Sequence, residues 1–153
     1  MPARAFKRGI PPMTRQLITN VGKLCDHVIR AGGEFTWEWS EKSELWKWEE
    51  TAAALDKHTT MESLVPLYAA GHKTQAKLNG VLTETHLVKR WRIRTTNANL
   101  HRRLLEYQET PLPTDTPVQH VRGKYGKLSA EYPDSFTKQI WIALANRKDD
   151  NFH

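Results

Sequence analysis

The sequence contains a single cysteine, Cys25, among 153 residues. No intramolecular disulfide can form, and a zinc site built from several cysteines is excluded. A lone thiol is typical of an intracellular, reducing compartment, with nucleus and cytoplasm both left open.

Long apolar runs are also missing. No stretch approaches the roughly 18 residues that a membrane helix needs, and the basic N-terminus MPARAFKRGIPPM lacks the apolar segment of a secretory signal. We therefore expect no membrane partner. Residues 1–13 are predicted to form a basic flexible arm, residues 14–148 a single α/β domain, and residues 149–153 a polar tail.

Common catalytic and nucleotide-binding motifs are absent as well. The sequence has no GxGxxG, GxxxxGK[ST], GxSxG or HExxH pattern. His72 and His86 flank a polar segment and could meet in space, but no carboxylate lies in obvious register with them. We predict no metal site.

The charge that is present has an excess of one sign. Lysine and arginine number 23 against 17 aspartate and glutamate, for a net charge of +6. Such a balance favours acidic partners, nucleic acid first. The alternative is an ordinary solvated surface with excess lysine.

Helical and strand patterns alternate along the chain. An apolar face at three- and four-residue spacing predicts a helix from Thr14, which Gly32 and Gly33 should end in a left-handed cap. A hairpin is predicted around Asn79-Gly80, and a helix capped by Asn97. Further strands are expected in EFTWEWS, SLVPLYAA and LVKRWRIRTT, a loop in ETPLPTDTPVQHVRGKYGK, and helices in SEKSELWKWEETAAALDKH and YPDSFTKQIWIALANRK. This order predicts a small, mostly parallel, Rossmann-like sheet with flanking helices, either half of a doubly wound sheet or a small variant.

Four of the six tryptophans lie within a short segment, from Trp37 to Trp48. Trp37 and Trp39 alternate with Glu38, so both indoles share one strand face and are expected in the core. Glu38 is expected at the strand's end, in water, or in a site, because burying an unpaired carboxylate is costly. Trp46 has no clear core role and suits a docking patch.

Basic residues concentrate in the second half. Arg90, Arg92 and Arg94 alternate along one strand and should share a face. The segment HVRGKYGK adds Arg122, Lys124 and Lys127, with Tyr125 between them to stack on bases. These residues predict nucleic-acid binding.

Three motifs carry a family resemblance: AGGEFTWEW, LVKRWRIRTT and HVRGKYG…AEYPDSFTKQIW. Over residues 15–145 the chain resembles poorly characterised, mobile-element-associated sequences, which are similar to the C-terminal half of cytosine-5 DNA methyltransferase catalytic domains. The resemblance implies that Glu38 matches a strand glutamate contacting the target cytosine. Arg92, or else Arg90 or Arg94, would match a later arginine near the same base. DNA is then favoured over RNA as the partner, and S-adenosylmethionine is the implied cofactor.

The chain departs from that pattern at its chemical centre. Ser40 replaces the proline after the Glu-Trp pair, the nucleophilic Pro-Cys is absent, and Cys25 lies on an apolar helix face. The glycine-rich loop for the methyl donor is also missing, and covalent attack on cytosine needs a thiolate. We therefore expect a non-catalytic or degenerate methyltransferase-like domain that binds nucleic acid. The alternatives are a methyltransferase fragment completed by a partner chain and a protein-interaction module with a tryptophan-rich surface.

Overall fold

The structure is a computed structural model that describes residues 12–114, 117–120 and 131–145. In chain order the helices are α1 (Pro12–Arg30), a 3-10 turn (Glu44–Lys47), α2 (Glu49–Leu55), α3 (Ala98–Gln108) and α4 (Asp134–Ala145). The strands are β1 (Thr36–Ser40), β2 (Met61–Pro66), β3 (Lys73–Leu78), β4 (Val81–Val88), β5 (Arg90–Thr95) and β6 (Val118–His120). Most of the predicted arm and the whole predicted tail lie outside the described residues.

The chain divides into two compact units. Unit 1 comprises the chain up to residue 35 together with residues 42–60, and therefore holds α1 and α2. Unit 2 comprises residues 36–41 and the chain from residue 61 onward, with every strand, α3 and α4.

In unit 1, α1 ends as predicted. Gly32 adopts φ +79°, and the Gly33 amide donates to the Val28 carbonyl at 2.8 Å. This is the left-handed cap that glycine permits without steric cost.

The face that α1 buries is narrower than its apolar pattern suggests. Ile18, Gly22 and Cys25 are buried, whereas Leu17 and Leu24 are 60% and 61% exposed. Only small residues fit where α1 meets α2, because a Cβ on Gly22 would lie 2.7 Å from the Cβ of Ala54. The predicted helix is confirmed, but Leu17 and Leu24 of its apolar pattern lie outside the buried face.

Unit 2 contains two small sheets. In sheet A, β5 lies between β1 and β2 and is antiparallel to both. In sheet B, β4 is antiparallel to β3 and pairs in parallel with β6 over three residue pairs. This architecture contradicts the predicted mostly parallel, Rossmann-like sheet.

The reason for the difference lies in the connections. Parallel neighbours need a crossover of about a dozen or more residues, usually helical. Here Asn79 and Gly80, with φ of +51° and +79°, join β3 to β4 in the predicted two-residue hairpin. Only Lys89 separates β4 from β5, and no helix intervenes between β2 and β5. The strand β6 forms inside a segment predicted as a loop.

One hydrophobic core supports unit 2. Its members are Val65, Leu67, Ala70, Leu87, Trp91, Ile93, Leu100, Leu104, Phe136 and Ala143. Asn97 caps the N-terminus of α3, as predicted: its side-chain oxygen accepts a hydrogen bond from the Leu100 amide at 2.8 Å. On α4, Phe136 is buried but Trp141 is 69% exposed, so Trp141 lies outside the buried face of this helix.

Among the helices of the described residues, none has the length and apolar character to cross a membrane.

Candidate nucleic-acid interface

The two faces of sheet A carry different chemistry. In the antiparallel register Trp39 lies opposite Arg92 and Trp37 opposite Arg94. Directly opposite residues project to the same side of a sheet. Both indoles therefore share a face with the three arginines of β5. We call this face, formed by Trp37, Trp39, Arg90, Arg92 and Arg94, the basic face.

Glu38 lies on the other side of the sheet. Its register partner is Ile93, a member of the core that α3 and α4 cover. Glu38 and Arg92 consequently project to opposite faces, and the structure does not bring them together. The two side chains that the methyltransferase resemblance assigns to one base thus lie on opposite faces of sheet A.

Two arginines of the basic face, Arg90 and Arg92, form ion pairs with glutamates. Both oxygens of the Glu41 carboxylate accept from Arg90, at 2.8 and 2.5 Å. The carboxylate of Glu62 accepts from Nε of Arg92. The arginine side chains remain 49% and 34% exposed, respectively.

The four clustered tryptophans have different environments. Trp37 and Trp48 are buried, each 8% exposed, while Trp39 and Trp46 are only partly covered. Trp37 and Trp39 contact edge to face, with ring centroids 5.1 Å apart. Trp39 is therefore the more exposed of the two indoles of the basic face. The proposed docking role of Trp46 stays a prediction.

The partner of Glu38 was not predicted from the sequence. The Tyr132 hydroxyl donates a hydrogen bond to Glu38, and its ring packs 4.9 Å from Trp91. Tyr132 is 44% exposed, and its partial burial raises its pKa above the usual range; the hydrogen bond to Glu38 and that carboxylate's negative charge raise the pKa further. Only the Tyr132-Pro133 step before the last helix hinted at a special position, and its spacing says nothing about β1.

The two histidines considered for a metal site do not converge. His86 lies opposite Lys73, so His72, one residue earlier, projects to the other face of the β3–β4 pairing. His72 Nε2 lies 2.8 Å from the Glu131 carbonyl, and its ring contacts Trp91. Within the described part of the chain, no group of three or more histidine, cysteine or acidic residues could hold a metal ion.

A groove between α3 and α4 was not predicted from the sequence. Its volume is about 520 Å³, and its lining includes Arg102, Arg103, Glu106 and Gln139. The Arg103 guanidinium donates to the Gln139 side-chain oxygen at 2.6 Å. The described lining of this groove includes two guanidinium groups and one carboxylate. Nothing in the sequence pattern showed that α3 and α4 would pack side by side.

The second predicted basic cluster lies outside the described residues. It comprises Arg122, Lys124, Tyr125 and Lys127. Their part in nucleic-acid binding stays a prediction.

The chain matched no family model, no curated protein and no solved structure in the comparisons made.

Proposed function

We propose that this chain binds nucleic acid through the basic face of sheet A, without catalysing a reaction on it. The observation that carries the proposal is the cross-strand pairing of Trp39 with Arg92. An indole next to a guanidinium offers a stacking surface for a base beside a cation for the adjoining phosphate. Neither the indole nor the guanidinium alone would distinguish this face from an ordinary protein surface.

The spacing of the arginines supports an extended ligand. Side chains at alternate positions of a strand repeat about every 6.7 Å, so Arg90, Arg92 and Arg94 form a straight row along β5. Such a row can follow a phosphate backbone, while a partly exposed indole stacks best on unpaired bases. The arrangement therefore favours single-stranded nucleic acid over a closed duplex.

The two glutamates do not preclude this role. Glu62 is 44% exposed and Glu41 is 26% exposed, and ion pairs at such surfaces contribute about 0–1 kcal/mol. Phosphate oxygens accept hydrogen bonds from arginine in the same paired geometry as carboxylate oxygens do. An incoming phosphate can thus replace Glu62 on Arg92, and Glu62 then acts as a competitor.

The test is fluorescence-anisotropy binding of single- and double-stranded DNA and RNA oligomers over a salt series. We expect Arg92→Gln to weaken binding and to lower the slope of log affinity against log salt by about 0.7 for a single strand. The matched control is Lys73→Gln on sheet B, which makes the same charge change beside Glu84. Salt-independent binding, or equal losses from both variants, would overturn the proposal.

Residues beyond the described ranges can be tested in the same assay. Arg122→Gln combined with Lys124→Gln is expected to weaken binding and to reduce the salt slope further, and Tyr125→Ala should weaken binding to single strands without changing the slope. The affinities for DNA and RNA oligomers of equal sequence show directly which of the two the chain binds more tightly. The resemblance to cytosine-5 methyltransferases favours DNA.

A further inference from the structure

The helix α1 carries a second apolar face that the described residues of unit 1 leave largely exposed. Leu17, Val21 and Leu24 are 60%, 36% and 61% exposed, and Val28 continues their line. We call these four residues the α1 seam. Their spacing of four, three and four residues is the repeat of helices that pair along a shared stripe.

The seam is separate from the face that α1 already uses. Ile18, Gly22 and Cys25 are buried where α1 packs against α2. At 100° per residue, the centre of that face lies roughly 95° around the helix from the centre of the seam. A further helix can therefore lie along the seam without displacing α2.

We infer that the α1 seam is the interface between two copies of this chain, whose α1 helices pair in parallel. Paired helices repeat every seven residues, at positions labelled a to g, with a and d in the shared stripe. Here Leu17 and Leu24 occupy d, and the β-branched Val21 and Val28 occupy a. That assignment is the one that favours two parallel strands.

Charge supports a second copy over a charged partner helix. In a parallel pair Met13, Asn20 and His27 flank the seam on one side, and on the other side lie Ile18 and Cys25, which α1 already buries against α2. None is an acid, a lysine or an arginine. Two identical helices can thus approach without like charges facing each other, and a partner rich in acidic residues would find no basic residue in these flanking rows.

The size of the seam sets the strength of the dimer. A helix of 19 residues is about 28 Å long, and a few half-exposed aliphatic side chains supply less than the roughly 800 Å² per partner of a stable interface. The dimer should therefore be reversible. A net charge of +6 on each copy opposes it, so added salt should strengthen it by screening. This salt dependence is opposite in sign to that expected for nucleic-acid binding.

The experiment is sedimentation equilibrium of the full, nuclease-treated chain over a range of concentrations and salt. We expect a monomer–dimer equilibrium that shifts toward the dimer as the protein concentration rises and as the salt concentration rises. The double variant Leu17→Gln, Leu24→Gln should raise the dimer Kd at least tenfold while α1 stays helical by circular dichroism, because glutamine and leucine have similar helix propensity. Leu82→Gln is the matched control, since Leu82 is 61% exposed on β4.

Three results would overturn the inference: a monomer at every concentration and salt, a double variant that associates like the parent, or an equal loss from Leu82→Gln. Orientation is tested separately by Thr14→Cys in a Cys25→Ser background. Thr14 occupies the a position one heptad before Val21, so parallel helices place the two thiols side by side. Oxidation should then give a covalent dimer, and a dimer that does not cross-link would overturn the parallel arrangement.

Discussion

The hydroxyl of Tyr132 donates a hydrogen bond to the carboxylate of Glu38, across a sequence separation of 94 residues. This contact joins the segment before α4 to the central position of β1. It accounts for a charged residue on the core-facing side of sheet A, because the carboxylate has a donor there. It also makes Glu38 a structural acceptor in this chain.

Tyr132 should hold its proton under alkaline conditions in which an ordinary tyrosine loses it. Its pKa is raised by burial and by Glu38, so above a pH of about 10 the unfolded chain releases a proton that the folded chain keeps. The stabilising contribution is fully present below that pH and is lost as the pH rises further. Spectrophotometric titration of the parent and Tyr132→Phe checks this. A Tyr132-dependent step at the ordinary tyrosine pKa would contradict it.

Removing the Tyr132 hydroxyl should also destabilise the fold. We expect Tyr132→Phe to lower the free energy of unfolding by about 1 kcal/mol, since it leaves Glu38 without its donor at a partly exposed site. The measurement is urea unfolding followed by tryptophan fluorescence. Tyr68→Phe is the control, because the Tyr68 hydroxyl donates to the uncharged carbonyl of Thr110. A larger loss from the control would show that Glu38 does not need Tyr132.

Neutralising Glu62 should strengthen nucleic-acid binding. If Glu62 competes with phosphate for Arg92, Glu62→Gln raises affinity roughly two- to fivefold, the equivalent of one exposed ion pair. Anisotropy titrations at fixed low salt measure the change. Glu84→Gln removes an acid that pairs with Lys73 on sheet B and serves as the control. Equal gains from both variants would indicate only a change in net charge.

The contact between α1 and α2 should not tolerate a side chain at position 22. Gly22→Ala places a Cβ against Ala54, and we expect a loss of about 1–3 kcal/mol from overpacking, partly offset by the better helix propensity of alanine. Thermal and urea unfolding measure it. Asn20→Ala, at an exposed position of the same helix, should be neutral or stabilising. A stabilised Gly22→Ala would show that the helices separate at this point.

Asp26 should make unit 1 sensitive to acid. Its carboxylate lies 2.6 Å from Lys57 Nζ and 2.7 Å from His58 Nε2, and hydrogen bonds from Lys57 and then His58 lower its pKa. Its contribution is present above the ordinary aspartate pKa of about 4 and is lost as the pH falls through the lowered value.

The matching experiment compares melting temperatures of the parent and Asp26→Asn across the acid range. The difference should be present at neutral pH and disappear in acid. Glu44→Gln, which removes an exposed pair with Lys47, should show little difference at any pH. A constant Asp26→Asn difference down to strong acid would mean that ionisation of Asp26 is not the cause.

The cap of α3 should be essential for that helix. Asn97 is buried and accepts from the Leu100 amide, so Asn97→Ala is expected to cost about 1–2 kcal/mol. Asn97→Ser should recover part of the loss because serine also caps. Urea unfolding followed by circular dichroism measures both, and equal losses from the two variants would indicate that packing at position 97, rather than capping, matters.

Local features of this chain were predictable because their causes lie within a few residues. The alternation of arginines with Trp91 and Ile93 along β5 and the position of Trp37 and Trp39 on one face of β1 follow directly from strand geometry. The expectation that both indoles lie in the core is confirmed for Trp37, which is buried, and not for Trp39, which is only partly covered. The register of β1 with β5 places both indoles on the face of sheet A opposite to Ile93. Periodicity tells which residues share a face but does not tell which face a helix will cover.

The sequence by itself determined the end of α1 at Gly32, the hairpin at Asn79-Gly80 and the start of α3 at Asn97, since each depends on backbone conformation and hydrogen bonds between near neighbours. Only the tertiary structure decided the antiparallel order of sheet A, the separation of Glu38 from Arg92, the partnership of Glu38 with Tyr132 and the exposure of the α1 seam. Those outcomes depend on which surfaces far apart in sequence bury each other. A linear pattern of polar and apolar residues does not encode that choice locally, because several pairings satisfy the same periodicity.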